Sequence, residues 1–273
     1  MDTLVVIGYG NMAKAVLSGI FKSEKSSFRL IRVVGRDPQK LRPWVESKLL
    51  ESSNKTSSKL EILYETTYEA DITGCDVLLA CKPYNLDVFK FKGKANIVYS
   101  LLAGINFATL SKHLKAINLV RVMPNVAANF GLSSSSVCIE DSKCEYKETI
   151  KAFIECFGNC VFLDSEAKLD ASIATNGSTP SMLAIIAQGL IDAGVNQGLQ
   201  VSDAKSLVAQ SFLGVAKMLE NYTPREIVDM VTSPAGTTSE ANLYLQAKGV
   251  QGLVSKAGIK AVLRAKEIAR SNA

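Results

Sequence analysis

The residues able to do chemistry fall in two short runs near opposite ends of the chain, Gly8-Tyr9-Gly10-Asn11-Met12-Ala13 and Ser233-Pro234-Ala235-Gly236-Thr237-Thr238. The first is a GxGxxA pattern between the apolar run Leu4–Ile7 and a stretch of helical apolar spacing. A strand feeding a glycine turn and then a helix is the context in which this pattern holds a dinucleotide. Gly8 permits the tight turn. Gly10 lets a pyrophosphate approach the backbone amides at the helix start, where the dipole favours anions, and Ala13 packs helix against strand. A turn that binds nothing is the alternative, weakened by the strands and helices that follow in alternation.

A site preferring NAD ends its second strand in an acid about 20 residues beyond the glycines. Here that strand closes on Val34-Gly35-Arg36, and the planar fork of Arg36 suits the 2′-phosphate of NADP. NADPH is the expected cofactor, with NADH as the alternative. Asp37 follows at once and could serve the ribose instead, leaving Arg36 as a surface residue.

Three further segments stand after expected strands: Ala80-Cys81-Lys82-Pro83, Ser100-Leu101-Leu102-Ala103-Gly104 and Arg121-Val122-Met123-Pro124-Asn125. In an open α/β sheet the ligand lies outside the carboxyl ends of the strands, so these loops could line one nicotinamide site. Asn125 reads as orienting nicotinamide or substrate, or as a turn residue. Lys82 reads as an anion contact or a solvated lysine. The second run, Ser233–Thr238, precedes a helical stretch, so its amides, freed by Gly236, can converge on an anion. Thr237 followed by Glu240 also fits a capping box. His113, beside Lys112 and Lys115, reads as a surface residue.

The elements that must position these groups have two grammars. Up to about Asp164, short β-branched runs at Leu4–Ile7, Leu30–Val34, Ile62–Tyr64, Val77–Ala80, Ile97–Ser100, Leu119–Val122, Val137–Ile139 and Val161–Leu163 alternate with helical stretches. This predicts an α/β fold: an N-terminal Rossmann-like, doubly wound, mostly parallel sheet over 1–164. Glu51–Lys59 reads as a solvated loop and Ser133–Ser136 as a loop entering a strand. Beyond Asp164 only helical spacing remains, predicting an all-α domain over 165–273. One of its helices, rich in Ala184, Ala187, Gly189, Ala193 and Gly194, reads as buried in a subunit interface.

Composition narrows the classes. With 47% hydrophobic and 21% charged residues, the chain is a globular protein able to bury real cores. Its longest apolar stretch, Met182–Val195, is broken by Gln188 and Asp192 and is too short to span a membrane. No basic leader precedes Leu4, so a cytoplasmic enzyme is expected. Cys75, Cys81, Cys138, Cys144, Cys156 and Cys160 form no CxxC pair, and His113 has no zinc-ligand spacing, so neither metal nor disulfide is expected. Cys75 and Cys81 flank an expected strand, and Cys156 and Cys160 bracket a helix end. The charge of +5 is dispersed, which argues against nucleic acid as a partner.

Gly8–Ala13, the three strand-end loops and above all Ser233–Thr238 together strongly resemble the pyrroline-5-carboxylate reductases. The likeness covers nearly the whole chain, including Asn176-Gly177-Ser178, Asp192-Ala193-Gly194, Gly198-Leu199, Ala209-Gln210 and Lys217-Met218-Leu219, which look like that family's dimerisation helices. The resemblance implies reduction of 1-pyrroline-5-carboxylate to L-proline by NADPH or NADH, the last step of proline synthesis. It implies a homodimer through the helical domain, often built into rings of dimers, with substrate between a cofactor domain and the paired helical domains. It also implies that Thr238 lies near the imine nitrogen while Ser233, Gly236 and Thr237 shape a cup for the substrate carboxylate. The family usually shows Gly where Ala235 stands. Such a reaction needs mainly positioning, which fits a chain without a catalytic His, activated Cys or Ser, or paired acids.

Two other readings compete. A β-hydroxyacid dehydrogenase shares the architecture but needs a lysine on its first interdomain helix, where this chain has Ala174-Thr175-Asn176-Gly177-Ser178-Thr179. A cofactor-sensing regulator would keep the fold without turnover.

Overall fold

A computed structural model gives the fold and describes residues 2–51, 60–141 and 143–271, with side chains as far as Glu267. The loop expected at Glu51–Lys59 lies, apart from Glu51, outside the described residues. The chain divides into two compact units, Met1–Ser178 with Lys260–Ala273, and Thr179–Ile259. This division falls later than the expected 164/165 boundary and returns the last stretch of chain to the first unit.

Among its described residues the first unit carries ten strands: β1 Thr3–Ile7, β2 Leu30–Gly35, β3 Glu61–Thr66, β4 Glu69–Asp71, β5 Asp76–Leu79, β6 Lys90–Lys92, β7 Lys94–Ser100, β8 Lys115–Met123, β9 Ser133–Ile139 and β10 Gly158–Phe162. Eight form one sheet in the order β10-β9-β8-β7-β5-β1-β2-β3, and β4 pairs with β6 apart from it. From β3 across to β8 every pair is parallel; β9 turns antiparallel to β8, and β10 runs parallel to β9. All eight expected strands are present. The additional β4 and β6 span three residues each, too few for an alternation to be read.

Two expectations are corrected. Ser133–Ser136 open β9 instead of forming a loop; Ser133, Ser135 and Ser136 are buried, where hydroxyls substitute for apolar groups only because they are hydrogen-bonded. Cys160 lies inside β10, so it does not bracket a helix end.

Helices α1 Asn11–Lys22, α2 Arg42–Glu51, α3 Phe107–His113, α4 Lys147–Glu155 and α5 Glu166–Ala171 lie in this unit. Strand residues alternate between two cores: Leu4 and Val6 join one with Val16, Ile20 and Phe153, while Val5 and Ile7 join the other with Leu102, Phe107 and Leu110. A sheet buried on both faces explains why β1 reads as an unbroken apolar run. Buried Arg121 on β8 reaches Glu166 and Asp170, each at 2.9 Å, and so ties α5 to the sheet. His113 is paired rather than idle, its Nε2 standing 2.6 Å from Asp87 Oδ1.

The second unit contains α6 Thr179–Asn196, α7 Val201–Met218, α8 Pro224–Val231, α9 Thr237–Ala247 and the start of α10 Val250–Ser271, with no strand among its described residues. Thr223 and Glu226 form the capping box that starts α8. The helix expected to lie in a subunit interface, α6, has no buried residue within the single chain; Ile185 is 72% exposed and Leu190 51%. Leu207, Leu213 and Leu243 are exposed as well. Such large apolar faces need a covering surface.

Candidate functional site

The glycine turn is built by two close approaches. Gly8 has φ +93°, and a Cβ there would stand 2.7 Å from both Cα and N of Cys81, at the end of β5. Its N–H donates to Val34 O at 3.1 Å, so the turn is held between the ends of β2 and β5. Gly10 is different. It caps α1 with φ −75° and ψ −171°, and a Cβ there would meet nothing within 4 Å. No side chain caps α1 and no acid stands in its first turn, which leaves free N–H groups facing open space at the positive end of the helix dipole. Ala13, fully buried, packs beneath.

That open space is the head of a cavity of about 920 Å³ in the first unit, lined by Gly8 through Met12, Arg36, Ala80 through Pro83 and Ala103. The structure therefore brings together residues from the ends of β1, β2, β5 and β7, the edge where an open parallel sheet binds ligands. Gly104, with φ +78°, follows Ala103 without lining the cavity. The dinucleotide expected from the sequence fits these residues on two counts: an anion can approach an uncapped helix start, and the cavity has ligand size. Burial pushes the Cys81 thiol up to about 11, so it stays protonated and is no nucleophile.

Sequence reasoning missed part of the wall. Tyr68 and Phe89, in edge contact with centroids 5.4 Å apart, line the cavity with Tyr84, Asn85 and Val88. These residues come from the β3–β4 connection and from the 3-10 turn Pro83–Val88 with Phe89 at its C-cap, where no periodicity marks them. The Lys82-Pro83 pair that opens this turn was the one local signal.

Asn125 stands outside the cavity. It is 7% exposed, with Oδ1 accepting from Ala127 N–H at 3.0 Å and Nδ2 donating to Asn176 O at 3.2 Å. Its own N–H donates to Ser133 Oγ at 3.0 Å. Asn176 Nδ2 in turn reaches Met123 O at 2.8 Å and Ser136 Oγ at 3.1 Å. This network fixes the turn after β8, and it explains the buried serines of β9.

In the second unit, Ser233–Gly236 form a turn closed by Gly236 N–H donating to Ser233 O at 3.1 Å. Pro234 and Ala235 occupy its centre, and Ala235 has φ +55°, the positive value that a type II turn demands at its third position. Where Gly would be free, Ala here is strained. A Cβ on Gly236 would collide with Ser233 Oγ. Helix α9 begins at Thr237 with Gly236 as N-cap and no side-chain cap, so the expected Thr237–Glu240 capping box is not formed. The first amides of α9 are thus left for another partner. Asn242 Nδ2 donates to Thr232 Oγ1 at 2.9 Å and ties the entry of this loop to α9.

Comparison with known proteins decides the family. A pyrroline-5-carboxylate reductase from Helicobacter pylori is 38% identical over 257 residues, covering 94% of this chain and 96% of the relative. The chain belongs to the pyrroline-5-carboxylate reductase family. The family model for pyrroline-5-carboxylate reductase dimerisation matches residues 166–268 of this reductase. A solved pyrroline-5-carboxylate reductase from Streptococcus pyogenes superposes with a TM-score of 0.79 at 24% identity, covering 97% of this chain and 98% of that one. One from Plasmodium falciparum with NADP bound gives a TM-score of 0.74 at 20% identity, covering 98% of each chain. The fold of the reductase, a mostly parallel Rossmann-like sheet followed by helices, is therefore the family's fold.

Proposed function

We propose that the chain reduces 1-pyrroline-5-carboxylate to L-proline, with NADPH as the preferred cofactor and NADH as the lesser one. Family membership supports the reaction, and the uncapped start of α1 over open space carries the cofactor reading. Gly8, Tyr9, Gly10, Asn11, Met12 and Ala13 form the pyrophosphate turn. Arg36, exposed at the cavity wall, meets the 2′-phosphate. Ala80, Cys81, Lys82, Pro83, Ala103 and Gly104 shape the nicotinamide end. When bound, the cofactor supplies the hydride.

The substrate carries a carboxylate beside a C=N bond, and a protonated imine accepts hydride without a nucleophile. The chain has to bind, orient and protonate. The free amides at the start of α9, with Ser233, Gly236 and Thr237, cup the carboxylate. The Thr238 hydroxyl stands at the imine nitrogen, with the proton coming from Thr238 or water. Asn125 serves substrate binding by fixing its turn. The exposed apolar faces of α6 and α7 pair with a second copy, giving a homodimer and, from it, a ring of dimers. The functional division is taken at 164/165, which the start of the family match at residue 166 supports. No described helix is long and apolar enough to cross a membrane, and we place the enzyme in the cytoplasm.

The experiment follows NADPH oxidation with five- and six-membered cyclic imine acids, in wild type and in Thr238→Ala. Turnover with the five-membered acid is expected, and Thr238→Ala is expected to lower kcat/KM by about 10²-fold or more. An unaffected Thr238→Ala enzyme refutes the placement of the substrate. Binding of NADPH with no turnover on either acid returns the regulator reading.

A further inference from the structure

Tyr9 sits between the two glycines of the first turn, yet its contacts lie on the second strand. Its Oη accepts the N–H of Asp37 at 3.0 Å, and its ring packs so closely on Gly35 that a Cβ there would stand 2.7 Å from Cε1. Asp37 is the one acid at the end of β2 able to take the ribose hydroxyls, yet it does not line the cavity. Its N–H is on Tyr9, and its Oδ2 stands 3.0 Å from Lys40 Nζ. Arg36, between Gly35 and Asp37, is left lining the cavity.

We infer that Tyr9 is a positioning residue that sets selectivity for a 2′-phosphorylated dinucleotide, by pinning the Gly35-Arg36-Asp37 turn so that the guanidinium and not the carboxylate serves the adenosine ribose. The inference rests on the NADPH reading above and adds its cause. Gly35 belongs to the device, because any side chain there would push the phenol off the turn. Lys40 completes it by neutralising a carboxylate that would otherwise repel the phosphate.

The test is direct binding. NADPH and NADH are titrated separately against the purified full-length protein, following the reduced nicotinamide's fluorescence, in wild type, Tyr9→Phe, Arg36→Ala and the double variant. Tyr9→Phe keeps the ring on Gly35 and removes only the hydroxyl, so the protein folds. It is expected to weaken NADPH binding about three- to tenfold more than NADH binding, the worth of one hydrogen bond. In the Arg36→Ala background the same change is expected to add nothing for NADPH. Lys40→Ala, read in the same titration, is expected to shift the balance in the same direction. Equal weakening of both cofactors by Tyr9→Phe, or an undiminished effect without Arg36, overturns the inference while a selective Arg36→Ala leaves the NADPH reading standing. An Arg36→Ala protein that loses both cofactors equally overturns the two together.

Discussion

The two glycines of the first turn are expected to fail in different ways when each gains one methyl group. At Gly10 an added Cβ meets no protein atom within 4 Å, and φ −75° suits any residue. Gly10→Ala therefore costs only the preference for Gly over Ala at a helix N-cap, below about 1 kcal/mol. Its methyl nevertheless stands over the helix start, where the pyrophosphate must touch the amides. Loss of one hydrogen bond to a charged group costs about 1.5–3 kcal/mol, or roughly 10- to 150-fold in Kd. At Gly8 the Cβ would be 2.7 Å from two backbone atoms of Cys81, on a residue with φ +93°. Gly8→Ala then costs about 3 kcal/mol or more in stability, since neither backbone can yield without parting β1 from β5. Urea denaturation of the ligand-free proteins, with fluorescence titration by NADPH and NADH, separates the two. Gly10→Ala should keep the wild-type midpoint and lose both cofactors alike, because the pyrophosphate is common to them. A Gly10→Ala protein that binds NADPH as wild type does would refute the placement of the pyrophosphate, and a fully stable Gly8→Ala would refute the packing argument.

Further outcomes follow from three single residues. Asp76 is 2% exposed with Oδ1 unpartnered, and burial raises its carboxyl from 3.8 to about 6, against the opposing N–H of Ile97. The folded chain thus holds this proton more tightly than the unfolded one, so the ionised carboxylate costs about 3 kcal/mol at pH 7, a cost relieved as pH falls from about 6 towards 4. Asp76→Asn should stabilise by about 1–3 kcal/mol at pH 7 in urea melts, with the gain shrinking by pH 5; a gain independent of pH would sink this. Ala235→Gly should relieve the positive φ, worth about 1–2 kcal/mol, less the extra chain entropy of Gly, for a net gain near 0.5–1 kcal/mol in the same assay. Ala235→Val should lower both stability and kcat/KM for the imine acid, and a neutral result would remove the turn from the site. Arg121→Leu should cost about 2–4 kcal/mol, because it leaves Glu166 and Asp170 facing an apolar side chain; Glu166 and Asp170 are about 30% exposed, which keeps the loss below that of a fully buried pair.

What could be read from the sequence was whatever its local chemistry determines. Strand β1 is an unbroken apolar run because both its faces are covered, and Gly8, Gly10 and Ala13 follow it at a spacing that backbone geometry requires. Long helices such as α6 and α7 were legible from periodicity. The serines of β9 were not, because a polar run reads as a loop unless Asn125 and Asn176 are known to lie against it. The capping box at Thr237 failed for a similar reason: the turn before it places Gly236 at the cap, one residue earlier than the motif suggests. The small-residue pattern of α6 pointed to a subunit interface, and its exposure within one chain agrees with that reading.

Tyr9, Asp37 and Arg121 show where local reading ends. Tyr9 meets Asp37 from 28 positions away and Arg121 meets Glu166 from 45, and spacing carries no trace of such pairs. The parts of the site that were legible are mostly backbone, namely amides released by Gly10 and Gly236. The missed parts are the contacts that set those groups, such as Tyr9 on the Asp37 N–H, and the aromatic wall of Tyr68 and Phe89; Arg36 itself was read. A reaction that needs positioning more than reactive groups distributes its demands in this way. Gly10→Ala should therefore weaken both cofactors alike, while substitutions at Tyr9 should shift the balance between them and those at Asn242 should weaken the imine acid, each leaving the fold intact. Loss of fold in Asn242→Ala, measured by circular dichroism, would show instead that the tie to Thr232 holds the helices and not the loop.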